Sequence, residues 1–257
     1  MHGAGAMIRR VVAFDLDNTL ADSKSPISPE IAGLLDRLLA EFQVCVISGG
    51  RFEQFETQLV EKLDVAPERL VSLHLMPTCG TRCYRFDLAT ADWRQLYAED
   101  LAAGQRATIV AALSKGVDAL GFRERELWGE QIEDRGSQVT FSALGQQAPV
   151  AAKEAWDPGG AKKRQLRDYV AREIPEFEVR VGGSTSIDVT KHGIDKAYGM
   201  KKLLALLDVA KHELLFVGDR LEQGGNDYPV KAMGVDCLSV SGWQQTALVI
   251  ETILEVT

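Results

Sequence analysis

Asp15 and Asp17 stand one residue apart at the end of an apolar run, in the order FDLDNTL, and Thr19 follows at the same interval. Two neighbouring carboxylates make a hard oxygen site of the kind that takes a divalent cation such as Mg2+. A phosphate monoester is doubly charged, so a nucleophilic carboxylate can approach it only where a metal and cationic side chains offset the repulsion. The pair is therefore read as the centre of a candidate phosphoryl-transfer site. Two further segments carry chemistry after apolar runs. Ser48 in VISGGR offers a hydroxyl, and the backbone N–H groups that follow, beginning with Gly49, can hold phosphate oxygens. GDRLEQGGND, from Gly218 to Asp227, offers Asp219, Asn226 and Asp227 as oxygen ligands suited to Mg2+.

Three apolar runs must deliver these groups to one place. IRRVVAFD (Ile8 to Asp15), VCVI (Val44 to Ile47) and LLFVGD (Leu214 to Asp219) are rich in β-branched and aromatic residues, as buried parallel strands are. Between the first two, Ser28 supplies an N-cap and Pro29 a first helical residue, and Ile31, Leu34, Leu35, Leu38 and Leu39 recur at helical spacing up to Glu41. Strand, helix and strand with short links predict a parallel α/β sheet, whose ligands gather at the carboxyl ends of the strands. A helix is expected over Arg51 to Leu63 and a strand over Leu70 to Leu75. The βα grammar returns with a helix over Lys196 to Leu207, a strand near Val235 to Val240 and a closing helix from Trp243 to Glu255.

After Pro77 the pattern changes. CYRF (Cys83 to Phe86), QVTFSAL (Gln138 to Leu144) and FEVRV (Phe177 to Val181) alternate apolar and polar residues like antiparallel strands with one buried face. Helices are expected over Trp93 to Leu113 and Ala161 to Glu173, the second carrying Lys162, Lys163, Arg164 and Arg167 on a solvated face. The expected fold is thus α/β, a Rossmann-like parallel-sheet core formed by residues 7–78 and 188–257, with residues 79–187 inserted as an α+β cap domain.

Across 257 residues the net charge is −8 and the hydrophobic share 46%, the balance of a globular chain. The negative charge argues against nucleic acid as a partner, since phosphate-backbone binding needs a basic footprint. No apolar run approaches the roughly 20 residues of a membrane-spanning helix, so the expectation is a cytoplasmic protein with no membrane partner. The leader MHGAGA is set aside, with Met7 as an alternative start. Cys45, Cys79, Cys83 and Cys237 are scattered and read as reduced thiols, not as a zinc site.

With these residues in view, the chain resembles the haloacid dehalogenase (HAD) superfamily of phosphotransferases, type IIB, over nearly its whole length. FDLDNTL resembles that superfamily's first motif, which implies Asp15 as nucleophile and Asp17 as general acid and base, the backbone carbonyl of Asp17 also serving Mg2+. Asn18 stands where most relatives have Gly; Asn tolerates left-handed turns better than other non-glycine residues. Ser48 takes the second motif, Lys196 in GIDKAYGM the third as the lysine that bridges nucleophile and phosphate, and Asp219 with Asn226 and Asp227 the fourth. IEDRGSQVTFSALGQ, GGSTSIDVTKHGIDKAYGM and GDRLEQGGNDYPV resemble, more narrowly, the eukaryotic-type phosphomannomutases.

That narrower resemblance implies Arg135 as a phosphate clamp, and Ser186 and Asp188 as partners of sugar hydroxyls, with Thr19, Gly49 and Lys153 also counted among the substrate-binding residues. Gln146 replaces an arginine of the family pattern, Lys153 replaces another, and Lys24 stands near a third. Glutamine loses the charge, and lysine keeps it without the two-pronged geometry. A mutase must hold a bisphosphorylated intermediate, whereas a phosphatase need only admit water. The expected activity is therefore a Mg2+-dependent phosphohydrolase acting on a small phosphorylated metabolite, a sugar phosphate, ahead of a hexose-phosphate mutase and of a non-catalytic sugar-phosphate binding protein. The expected assembly is a monomer or homodimer.

Overall fold

The computed structural model describes residues 9–183 and 185–256. The strand start at Ile8, the alternative start at Met7 and Ser184 of the STSID segment lie outside these residues. The described chain divides into two units, one running up to Ala98 and resuming at Asp195, the other spanning Glu99–Ile194.

In the first unit, β1 (Val11–Asp15) leads through a loop into α1 (Pro29–Glu41), then β2 (Gln43–Ile47), α2 (Phe52–Gln58), the short α3 (Pro67–Leu70) and β3 (Leu73–Met76). A hairpin of β4 (Arg82–Asp87) and β5 (Asp92–Ala98) follows. The chain returns with α7 (Lys196–Leu207), β10 (Leu214–Gly218), α8 (Tyr228–Ala232), β11 (Asp236–Ser239) and α9 (Trp243–Val256). The seven strands lie in the order β11-β10-β1-β2-β3-β4-β5, parallel from β11 to β3 and antiparallel over β4 and β5.

Alternation along the buried strands feeds two cores. Val12, Phe14, Val44, Val46, Leu73 and Leu75 pack with Ile31, Leu35 and Leu38 of α1 and Ala247 and Ile250 of α9. Val11, Ala13, Cys45, Ile47, Met76 and Phe216 face the other way, onto Met200, Leu203 and Leu204 of α7. Burial on both faces explains why β1 reads as an unbroken apolar run. The expected cap of α1 is present, with Ser28 Oγ accepting from Ile31 N at 3.2 Å and Pro29 in the first turn. The helix after Ser48 is shorter than its pattern suggested, giving way to a 3-10 turn over Val60–Lys62, and Leu70 ends α3 instead of opening β3.

The second unit contains α4 (Ala103–Ala119), β6 (Ile132–Asp134), β7 (Gln138–Ser142), α5 (Val150–Trp156), α6 (Ala161–Glu173), β8 (Glu178–Val181) and β9 (Ser186–Thr190). Its four strands form an antiparallel sheet in the order β6-β7-β9-β8. Val139, Phe141, Val179, Ile187 and Val189 point to α4 and α6, where Ile109, Leu113, Leu166 and Val170 complete a core of their own. Gly116 lets these two helices approach, since a β-carbon there would lie 2.9 Å from Leu166 Cδ1 and 3.0 Å from Tyr169 Cδ1.

Two expectations fail at the unit boundary. Trp93 to Ala98 is strand, not the first turns of a helix, and α4 begins only at Ala103. CYRF belongs to the first unit's sheet, because β4 pairs with β3 and β5 extends it. The division therefore falls at residues 98/99 and 194/195, not at 78/79 and 187/188. Period-two alternation marks an antiparallel strand but does not say which sheet receives it. Among the described residues, no helix is long and apolar enough to cross a membrane.

Candidate active site

The carboxyl ends of the parallel strands in the first unit gather the acids. Asp15 ends β1, Ser48 follows β2, Asp219 follows β10, and Lys196 is the first residue of α7. Lys196 Nζ lies 2.6 Å from Asp15 Oδ1 and 2.5 Å from Asp227 Oδ1, with all three side chains almost wholly buried. A cation at a helix N-terminus opposes the helix dipole, so the carboxylates are what hold it there. Asp195 caps the same helix by accepting from Tyr198 N at 2.9 Å. Burial works against the charge on Lys196, yet Asp15 and Asp227 outweigh it and keep its pKa above the ordinary value.

Asp15, Asp219 and Asp227 bring one oxygen each to within 4.8 Å of one another, the only such group of potential metal ligands among the described residues. One ammonium does not neutralise three carboxylates. The Asp15 carboxyl is pushed up to about 8, the net of burial, which raises it, Lys196, which lowers it, and Asp227, which raises it again. Asp219 is raised too, first by burial and then by Asp227. A divalent cation would relieve this excess of negative charge, so three hard oxygens with a charge deficit fit Mg2+. Gly218 makes room for the arrangement, because a β-carbon there would lie 2.4 Å from Asp227 Oδ2. Asp227 is fully buried and its Oδ2 also accepts from Arg220 N, whereas Asn226 is exposed and its side chain stands outside this network.

Asp17 is held by a separate set of donors. Its Oδ1 accepts from Lys24 N at 2.6 Å and from Gln58 Nε2 at 3.3 Å, and its Oδ2 from Gln54 Nε2 at 2.9 Å. Asn18 adopts φ 60°, the left-handed conformation that the sequence reading allowed it. Ser48 is buried, and its Oγ accepts from Gly50 N at 3.1 Å, which leaves its own proton to donate. Gly49 occupies the loop between them. Thr19 is fully buried; its carbonyl accepts from Thr246 Oγ1 at 2.6 Å, and its Oγ1 has no hydrogen-bond partner.

The remaining expected residues lie in the second unit: Ser186 and Asp188 on the β9 face opposite its apolar core, Arg135 in the turn between β6 and β7, and Lys153 on α5. Glu133, Thr140, Asp188 and Arg180 are aligned in register across four strands. Asp188 Oδ1 accepts from Gln138 Nε2 at 2.9 Å and Thr140 Oγ1 at 2.7 Å. Burial raises its pKa, partly countered by Arg135 and by these two donors. Gly182 keeps the adjoining space open, since a β-carbon would meet Ser186 Oγ at 2.7 Å and Asp188 Oδ2 at 2.8 Å. Arg135 is paired with Glu133 through contacts of 2.6 Å from both Nε and Nη2. Lys153 Nζ donates to the carbonyl of Gln146 at 3.0 Å, so the two positions that depart from the family pattern adjoin each other, and Gln146 Nε2 is buried without a partner.

Sequence reasoning missed Gln54, Gln58, Glu133, Gln138 and Thr140. For Gln58 a signal existed: it sits between Phe55 and Leu59 on the buried side of α2, where a polar side chain needs a partner.

A parallel sheet ending in a buried aspartate–lysine centre, with an α+β unit inserted in the chain, defines the class: this is an HAD-superfamily enzyme, a phosphatase or phosphotransferase. Solved structures share its fold. IMP-bound, N-terminally truncated IMP-nucleotidase of Plasmodium falciparum superposes with a TM-score of 0.69 at 15% identity, covering 97% of this chain and 69% of that one. A haloacid dehalogenase-like hydrolase from Bacteroides thetaiotaomicron gives 0.65 at 16% identity, covering 95% and 99%. Within the class, the family model for eukaryotic phosphomannomutase matches residues 120–255, more than half of the chain, and the protein belongs to that family. Phosphomannomutase 1 of Mus musculus is 23% identical over 244 residues, 90% of this chain and 87% of that protein. The phosphomannomutase of Schizosaccharomyces pombe is 24% identical over 232 residues, 86% and 85% of the two chains.

Proposed function

We propose that the protein hydrolyses a small sugar phosphate through an aspartyl-phosphate intermediate on Asp15, with Mg2+ as cofactor. The observation that carries this reading is the cluster of buried Asp15 and Asp227 with half-buried Asp219, three acids of which Lys196 pairs with two. Asp15, Asp219, Asp227 and the backbone carbonyl of Asp17 would hold Mg2+. When bound, the ion offsets charge on both the phosphate and the acids.

An Asp15 carboxylate oxygen forms a bond to phosphorus while the ester P–O bond breaks, and Asp17 gives its proton to the leaving oxygen. Water then attacks the phosphoryl group and passes a proton to Asp17, and the Asp15–phosphorus bond breaks to release inorganic phosphate. Ser48, the Gly49 N–H and Lys196 bind the transferring oxygens, and Thr19 helps shape the loop beside them. In the second unit, Ser186 and Asp188 are assigned to sugar hydroxyls, and Arg135 and Lys153 to the substrate's charged groups.

Hexose-phosphate isomerisation is the second reading, favoured by the family match. Against it stands the neutral Gln146 with Lys153 on its carbonyl, where the family pattern has guanidinium groups. The test is phosphate release from mannose 6-phosphate with and without Mg2+, beside interconversion of mannose 1-phosphate and mannose 6-phosphate in the presence of a hexose bisphosphate. Free phosphate supports hydrolysis. Isomer exchange without it replaces this reading by the second, and neither activity on any sugar phosphate overturns both.

A further inference from the structure

We infer that Gln54 and Gln58 are positioning residues that aim the Asp17 carboxylate for its proton transfers. They are four residues apart on α2 and so share one face of that helix. Each sends its carboxamide N–H to a different oxygen of Asp17, Gln54 to Oδ2 at 2.9 Å and Gln58 to Oδ1 at 3.3 Å. With Lys24 N on Oδ1 at 2.6 Å, three donors fix the plane of the carboxylate. An acid that must reach a leaving oxygen and then a water needs such an orientation, because misplacement by about 1 Å costs rate steeply.

Gln58 is itself pinned. It is 3% exposed, its Nε2 also donates to Ser25 O at 2.7 Å, and its backbone carbonyl accepts from Ile27 N at 2.8 Å. The glutamine thus ties α2 to the loop that runs from Asp17 to α1. Gln54 is placed by a glycine: a β-carbon on Gly50 would lie 2.0 Å from Gln54 Oε1. Gly50 also donates its N–H to Ser48 Oγ. One short segment, residues 48–58, therefore sets both the phosphate-facing hydroxyl and the direction of the acid. Both partners are neutral amides, so they orient the carboxylate without adding a charge beside the acid cluster.

The inference rests on the reading of Asp17 as general acid and base. Its test is kcat/KM, which reports steps up to release of the leaving group, for two probes: mannose 6-phosphate, whose alkoxide leaves only with a proton, and p-nitrophenyl phosphate, whose phenolate leaves without one. Gln54→Met and Gln58→Met should each lower kcat/KM for the sugar phosphate about tenfold, a part of the 10²–10⁴ that acid catalysis supplies, and that for the aryl phosphate by no more than about twofold. The ratio is taken on a single preparation, so an unfolded fraction cancels. Asp17→Asn is the reference, with the same selectivity and a larger loss. If Asp17→Asn discriminates between the probes and both glutamine variants slow them equally, the positioning role is wrong and the acid stands. If Asp17→Asn itself does not discriminate, the acid assignment falls, and this inference with it.

Discussion

The two units bury charge in opposite ways. In the first, the charges gather at the strand ends, and of three clustered carboxylates two pair with the one ammonium. In the second, Glu133 and Asp188 stand on the strands themselves and each is met locally: Arg135, in the turn after β6, pairs with Glu133, and the carboxylate of Asp188 takes two neutral donors. Loops at the end of a parallel sheet can converge on one point and leave a charge imbalance for a ligand to meet. A sheet face spaces its side chains at fixed intervals and settles them pairwise. An unbalanced cluster therefore calls for a counter-charge that a balanced face does not need.

Four perturbations bear on that contrast. Asp15→Asn has the largest effect: it should abolish phosphate release, since an amide is not a usable nucleophile. It should also leave the protein as stable as the parent, or more so, in EDTA, because it removes a carboxylate that burial disfavours. A lower melting temperature in EDTA would show the cluster to be balanced after all. Lys196→Met should act the other way, lowering stability in EDTA by roughly 3–5 kcal/mol in urea titrations, the usual cost of leaving a buried charge without its partner. Mg2+ should recover part of the loss in that variant and more than it adds to the parent.

His74 asks whether the strand ends alone set the electrostatics of the first unit. It is fully buried on β3, its Nε2 faces Gln43 Oε1 at 2.9 Å, and Nδ1 has no partner. Burial, then Arg85, lowers its pKa from 6.5 to about 4. Above 6.5 both folded and unfolded chains carry it neutral and its contribution is fully present. Between 6.5 and 4 the unfolded chain takes up a proton that the folded chain refuses, so stability falls as pH falls, by roughly 3 kcal/mol over the window. His74→Leu should flatten the stability–pH curve between those limits, and an unchanged slope would assign the acid limb to other groups. Arg135→Met has the smallest effect: it should cost roughly 2 kcal/mol, because Glu133 is 14% exposed and can recover some hydration. A loss as large as that of Lys196→Met would erase the contrast between the units.

Much of the first unit was legible because its signals are local. Ser28 with Pro29 fixed the start of α1, and the helical spacing from Ile31 to Leu39 fixed its buried face. Asp15, Ser48, Lys196 and Asp219 could be placed because each follows an apolar run or opens a helix. The hairpin of β4 and β5 was not legible, since the same alternation suits a strand of either sheet and the partner is chosen by tertiary contact. Nor were Gln54, Glu133 and Thr140, whose roles are contacts across 37, 2 and 48 residues with nothing in the local pattern to mark them. The departure at Gln146 could be read as a lost charge, but the ammonium of Lys153 on its carbonyl is a feature of the folded loop alone.

The strand order has a consequence for synthesis. β1 lies at the centre of its sheet, with Val11 to Phe14 paired on one side to Leu214 to Val217 of β10. When the ribosome has delivered β1 to β5, that side of β1 is a bare apolar edge, and its partner β10 is still the stretch from Ala98 to Leu214 away, roughly 6–23 s at ordinary elongation rates. The second unit, which has its own core, is synthesised within that interval and is complete at Ile194, shortly before Leu214, so through its synthesis the nascent chain carries a sheet with an open seam. An open seam of this kind recruits strands from other chains. Chains that stop short of Leu214 are therefore expected in the insoluble fraction, and the closing of β10 against β1 is the late event that makes the protein safe to release.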